Sequence, residues 1–342
     1  MNFRSDNESP VNVKIMQAMV EANTGFQESY GYDVYTLKLK EEMQQLFGCW
    51  CDIIPLTTGT AANALATALS TPPYGSMFCY QDSHLNVDEC GAPEFFADGA
   101  KLIGLKGVDG KMNASDLDNM LSGLGAHGEH ECLPSAFSLT QSTESGTIYS
   151  LEEIKQFHQV KKKYNLFMHM DGSRIANAVE ATGDSIAQMT WKNGVDLLSF
   201  GATKNGAMIA EVLVVFNPHV GKEILRRRKR AGHLISKMRY ISAQLLAYLK
   251  DDLWLELAAH ANQLALNFYT EIKNKHHFLY PVQANEAFLR LDEKEIDHLK
   301  KKGYEFHVWP GTTDVIRLVF SHNTKKQDVE DLISDIKNLK NL

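Results

Sequence analysis

The chain has 342 residues, 44% of them hydrophobic, with a net charge of -7 and a pI of about 6.0. This suits a globular protein with a sizeable core, and the acidity argues against nucleic acid or an anionic membrane as the main partner. No apolar run approaches the roughly 20 residues that span a bilayer, residues 1–6 lack a signal-peptide pattern, and the five cysteines do not read as a disulfide framework, so the expected compartment is the reducing cytoplasm.

The length suits a large domain over residues 1–245 and a smaller α+β domain over 246–342. Strand-like and helix-like runs alternate from about residue 53 to 216, the pattern of an α/β fold with a mostly parallel sheet. The stretch 56–65 reads as a strand end, a turn of small residues and a helix start. There Thr58, Gly59 and Thr60 can offer N–H groups to an anion at a helix N-terminus, or simply cap a helix that binds nothing. Strands are expected at 78–80, 102–105, 136–139, 166–170 and 195–200. Asp82-Ser83-His84 follows the first of these, which brings His84 to the carboxyl edge of the sheet, where an imidazole can stack on a flat ring or be an ordinary loop histidine. Residues 123–128 spell a literal G-x-G-x-x-G, but a helical pattern precedes it where a dinucleotide fingerprint needs a strand. His127 and His130 in that loop are candidate general bases. Ser150-Leu151-Glu152-Glu153 is a capping box and should start a helix to about Tyr164.

His169-Met170-Asp171-Gly172-Ser173-Arg174 sets an acid at the carboxyl end of a buried strand, where open α/β sheets bind ligands. An aspartate there can hold the proton of a pyridinium ring and make it an electron sink, with Arg174 in reach; the plain alternative is a helix cap. One helix and one strand later, a single lysine, Lys204, sits in a tight turn between Gly201 and Gly206, flanked by apolar runs at 195–200 and 212–216. An amine so held suits covalent attachment to a carbonyl cofactor, although alone it also reads as a surface lysine in a hairpin. Long helices are expected over 218–250 and 253–275, then strands at 288–291, 306–309 and 315–320, and a helix from Lys326. The basic run 226–230 lies in the first of those helices, with one or two side chains expected to reach an anion. Arg317, inside an apolar strand, needs a partner: a substrate carboxylate or an internal acid.

Taken together, these residues resemble the threonine aldolase family of pyridoxal-phosphate enzymes, in the β-eliminating lyase group of the aspartate-aminotransferase-like fold. Arg4-Ser5-Asp6 is similar to the family's opening Arg-Ser-Asp, Asp33-Val34-Tyr35 to its Asp-Val-Tyr, Thr58-Gly59-Thr60 to its phosphate loop, and 169–174 to its His-Met-Asp-Gly-Ala-Arg. The resemblance implies a fold-type-I large domain with a mostly parallel sheet, a smaller C-terminal domain, and pyridoxal 5'-phosphate on Lys204. It puts His84 on the ring, Asp171 on the ring nitrogen, and Arg228 and Lys229 near the phosphate. It assigns Ser5, Tyr35, Arg174 and Arg317 to the amino-acid substrate, and His130 or His84 as base. No metal ligand is read. The implied reaction cleaves L-threonine or L-allo-threonine to glycine and acetaldehyde, or phenylserine to glycine and benzaldehyde, in a homotetramer. Departures are Ala202-Thr203-Lys204-Asn205-Gly206 for the common Ser-Lys-Gly-Leu-Gly, Asp88-Glu89-Cys90-Gly91 for a stretch that often carries a tyrosine, and Gln141-Ser142-Thr143-Glu144 for Glu-Asn-Thr-His. Rival readings are β-elimination or racemisation on the same fold, and a non-catalytic scaffold.

Overall fold

The computed structural model describes residues 1–220 and 223–339. Its main sheet has seven strands: β1 Asp52–Leu56, β2 Gly75–Tyr80, β3 Lys101–Leu105, β4 Leu133–Thr140, β5 Phe167–Gly172, β6 Leu197–Gly201 and β7 Glu211–Val215. They lie in the order β1-β7-β6-β5-β4-β2-β3. Neighbours are parallel except around β7, which runs antiparallel to both β1 and β6. All residues of β6 and β7 are buried, because helices cover both faces; the strands therefore read as apolar runs without alternation.

The helices around it include α1 Val13–Ala22, α2 Val34–Phe47, α3 Gly59–Ser70, α4 Leu151–Tyr164, α5 Ile175–Thr182, α6 Ile224–Arg230 and α7 Arg239–Leu249. Ser150 and Glu153 close the expected capping box on α4, which ends at Asn165 in the left-handed conformation. Asp33 caps α2 through the Thr36 N–H at 2.9 Å. The long helix expected over 218–250 is two helices, α6 and α7, with Gly232 at φ 81° in the connection; residues 221 and 222 of that stretch lie outside the described ones. The sequence reading does not anticipate α1 and α2.

A three-stranded antiparallel sheet follows, β8 Glu286–Arg290, β9 His307–Val308 and β10 Val315–Val319, in the order β8-β10-β9. Three further helices pack here: α8 Leu253–Ile272, α9 Glu293–Lys301 and α10 Lys326–Asn338. The long α8 joins the two cores: Trp254 and Leu257 pack into the first, Leu264 and Phe268 into the second. Phe3, from the other end of the chain, belongs to the second core; its N–H donates to the Glu305 carbonyl at 2.8 Å and its carbonyl accepts from Val319 at 2.9 Å. The N-terminal segment thus runs from the small sheet toward the carboxyl edge of the large one.

Candidate active site

The carboxyl ends of β1, β2, β5 and β6 open on one pocket of about 220 Å³, whose lining includes Asn7, Thr58, Thr60, His84, Lys204 and Glu211. Lys204 stands in a single helical turn, Thr203–Asn205, between β6 and β7. Two glycines shape that loop. Gly206 holds φ 107°, and a Cβ on Gly201 would lie 2.7 Å from the Ser173 carbonyl, so only glycine lets β6 pack against the turn after β5. Asn205 Nδ2 anchors the turn by donating to Tyr248 Oη and to the Trp254 carbonyl, both at 2.8 Å.

Asp171 is the register partner of Ser199, one strand over from the lysine loop. Its Oδ1 accepts from the Ser173 N–H at 3.0 Å and the Ser173 hydroxyl at 2.6 Å, and its Oδ2 accepts from Asn63 Nδ2 at 2.8 Å. Burial alone would raise its pKa, but the Ser173 hydrogen bond and the Lys204 and His84 charges hold it below the usual carboxylate range. Behind it His169 is wedged between the Ser138 and Ser199 hydroxyls, and burial pushes its pKa down to about 4, so it stays neutral.

His84 reaches the pocket from the start of a short helical turn after β2. Its Nδ1 lies 2.9 Å from Glu89 Oε1, and its backbone N–H donates to Glu144 Oε1 at 2.7 Å. The Glu89 hydrogen bond raises the His84 pKa against the effect of burial. Asn63 Nδ2 also donates to Glu89 Oε1, at 2.8 Å, so one amide ties the acid under His84 to Asp171.

Thr58, Gly59 and Thr60 do line the pocket. The Thr58 hydroxyl accepts from the Ala61 N–H at 3.1 Å as the cap of α3, and the N–H groups of Gly59 and Thr60 precede the first intrahelical bond, which leaves them for an anion. Arg174 and Arg317 stand beside the pocket, each on an internal acid. Arg174 Nε and Nη2 donate to the two Asp6 oxygens at 2.7 and 2.9 Å; Arg317 Nε donates to Glu286 Oε1 at 3.0 Å, and its Nη2 meets the same oxygen. Arg174 Nη2 is 3.6 Å from that same oxygen, and Glu286 Oε2 is buried without a hydrogen-bond partner.

Four groups of expected site residues lie away from this pocket within the chain. His130 lies in the exposed loop before β4, whose Leu133 pairs with Gly75 at the amino end of β2; the full length of β4, roughly 26 Å, separates it from the pocket edge. Arg228 is buried with its Nε unpartnered and feels Tyr32 and Asp52, at the amino end of β1, while Lys229 lies over the Tyr30 ring. Neither lines the pocket at the Thr58–Thr60 turn of its own chain, although α6 packs against α3, with Ile224 in one core with Leu56 and Ala61. Ser5 caps the turn Asp6–Glu8 through the Asn7 N–H at 3.2 Å; its neighbour Asn7 lines the pocket instead, and Asp6 pairs with Arg174. Tyr35 lines a separate groove with Ala18, Glu21 and Lys38.

The sequence reading passes over Asn63, Glu89 and Glu211. Asn63 carried a signal, as a lone amide in the Ala-rich run of α3, and Glu211 carried one as a charge opening an apolar strand. Glu89 carried none, since only the fold brings it under His84.

A mostly parallel sheet with an imidazole, an acid and a lysine at its carboxyl edge defines a class, and comparison names it. The chain belongs to the beta-eliminating lyase family, whose model matches residues 2–294. It is 37% identical over 338 residues to the low specificity L-threonine aldolase of Pseudomonas aeruginosa, spanning 98% of this chain and 96% of that one. It is 26% identical over 314 residues to that of Saccharomyces cerevisiae, spanning 90% and 79%. The threonine aldolase of Leishmania major superposes with a TM-score of 0.92 at 25% identity, covering 99% of each chain, which bears out the expected fold-type-I architecture.

Proposed function

We propose that this protein is an aldehyde-lyase that cleaves β-hydroxy-α-amino acids, L-threonine and L-allo-threonine first, to glycine and an aldehyde, with pyridoxal 5'-phosphate held on Lys204. The observation that carries this reading is Asp171 near the end of β5 and Lys204 in the turn after the neighbouring β6, with Lys204, His84 and the Asp171 partners Asn63 and Ser173 lining one pocket. The cofactor fits what is there. Asn63 Oδ1 and Glu89 Oε2 are buried polar atoms without partners, and the glycine at 59 leaves the cup open. Its pyridinium ring supplies a sink for the electron pair left on Cα when the Cα–Cβ bond breaks. Gly59 and Thr60 hold its phosphate, and Asp171, kept ionised, holds the ring proton. Arg174 and Arg317 grip the substrate carboxylate through the N–H groups that Asp6 and Glu286 leave free. With Nδ1 taken by Glu89, His84 Nε2 is the base that removes the β-hydroxyl proton, directly or through a water.

The reading extends to a homotetramer. Exposed Val13, Val20, Phe26, Tyr32, Val34 and Leu37 support an interface, across which Tyr35, Arg228 and Lys229 serve a neighbour's site. All five cysteines are free, which supports a reducing cytoplasm. The test is product analysis with L-threonine, L-allo-threonine and phenylserine. Glycine and the matching aldehyde are expected, and Lys204→Ala loses both turnover and the yellow colour of the bound cofactor. Pyruvate-type products, or a change of configuration without cleavage, would overturn the assignment in favour of elimination or racemisation.

A further inference from the structure

We propose that Glu211 is a proton-carrying acid in the floor of the anion cup, ionised beside the Lys204 ammonium and protonated once an anion occupies the cup. The inference rests on the cofactor reading above and goes beyond it. Strand β7 is wedged antiparallel between β1 and β6, and Glu211, its first residue, is the register partner of Leu56 on one side and Gly201 on the other. It therefore lies under the two loops that carry Thr58–Thr60 and Lys204. Its side chain lines the pocket and is 6% exposed as a residue. Oε1 accepts a long hydrogen bond, 3.4 Å, from the Thr203 N–H, and Oε2 occupies room that only a glycine at 201 leaves, 3.0 Å from where a Cβ would stand.

The charges facing Glu211 are few. Lys204 stands on the adjacent loop and Asp171 on β5, with His84 and Glu89 across the pocket; β1 and α3 contribute only neutral residues to the lining. Burial pushes Glu211 up to about 7, against the pull of Thr203 and Lys204. An anion set beside the buried Glu211 carboxylate disfavours its charged form further; the acid takes a proton and can donate it as a hydrogen bond. The proton has a source. Before the Lys204 ammonium can attack a carbonyl it must lose one, and the Glu211 carboxylate accepts it: an N–H bond breaks, an O–H bond forms, and the pocket keeps its net charge.

The sign follows. Below about 7 Glu211 already carries its proton and anion binding is flat with pH. Above that value each anion bound takes up a proton, and affinity falls about tenfold per pH unit. The test uses inorganic sulfate, whose charge is constant from pH 6 to 9, titrated calorimetrically into the full chain freed of cofactor, in buffers of different ionisation enthalpy. Wild type should take up about one proton per sulfate at pH 8, and Glu211→Gln none, with an affinity there about tenfold tighter. No proton uptake by wild type would overturn the proposal. So would the same pH slope in Glu211→Gln, which would assign the proton to Lys204. If pyridoxal phosphate still turns wild type yellow, the failure belongs to Glu211 alone; with neither colour nor sulfate binding, the functional reading falls and this inference with it.

Discussion

Glu89 decides what kind of histidine His84 is. Its carboxylate fixes the imidazole through Nδ1 and favours the protonated ring. A base works only after losing its proton, so activity should rise as pH climbs through the raised His84 value. Replacing Glu89 by Gln removes the charge that retains the proton, and the acid limb of the kcat/KM profile should move to lower pH. A limb that stays in place would mean another group limits the rate. His84→Ala removes the base altogether and should cost about 10²–10⁴ in kcat/KM, measured by aldehyde release. At this scale the sequence was partly legible: Asp171, His84 and Lys204 are polar residues at strand ends. Glu89 was not, and Asn63 showed only as a lone amide, because their roles depend on a partner 5 or more positions away that only folding brings near.

Among the elements, α3 is both scaffold and binding surface. Thr58→Ala removes the hydroxyl that caps it and should cost about 1 kcal/mol in urea melts, together with weaker retention of the cofactor. Gly201→Ala should do more harm to the site, since a methyl group there meets the Ser173 backbone. The measurement is cofactor retained after gel filtration, and full retention would show that the β5 and β6 loops yield more than their packing implies. Apolar runs revealed the strands of the main sheet, and Ser150 with Glu153 revealed α4. The division of 218–250 into α6 and α7 was hidden because both halves carry helical residues, and the connection over 231–238 turns at a left-handed Gly232.

For the whole molecule, Asp6 is the joint. It links the N-terminal segment, which pairs with the small sheet, to Arg174 on the large one, and Asn285 Nδ2 adds a third contact at 3.3 Å. Asp6→Asn removes the two-pronged acid partner of a buried guanidinium, leaving it only Glu286 at 3.6 Å, and should cost about 3–5 kcal/mol, with a raised KM. Burial would lift the Asp6 pKa, yet the Arg174 pair holds it below the carboxylate range. Its contribution is therefore fully present above the unfolded value and fades as pH falls through the lower folded one. Denaturation at pH 7 and at acid pH should show wild type losing this increment and Asp6→Asn having none to lose.

Local chemistry made the sheet, the lysine turn and the acid at the strand end readable from sequence alone, since apolar runs, glycines and caps act over a few neighbouring residues. Only the tertiary structure decided which partners those groups keep. It moved His130 to the far edge, kept Arg228 and Lys229 out of the pocket lining, gave both arginines internal acids, and set Glu211 beneath the lysine. Those outcomes depend on strand order and register, which bring together residues distant in the chain and which no short stretch of sequence encodes.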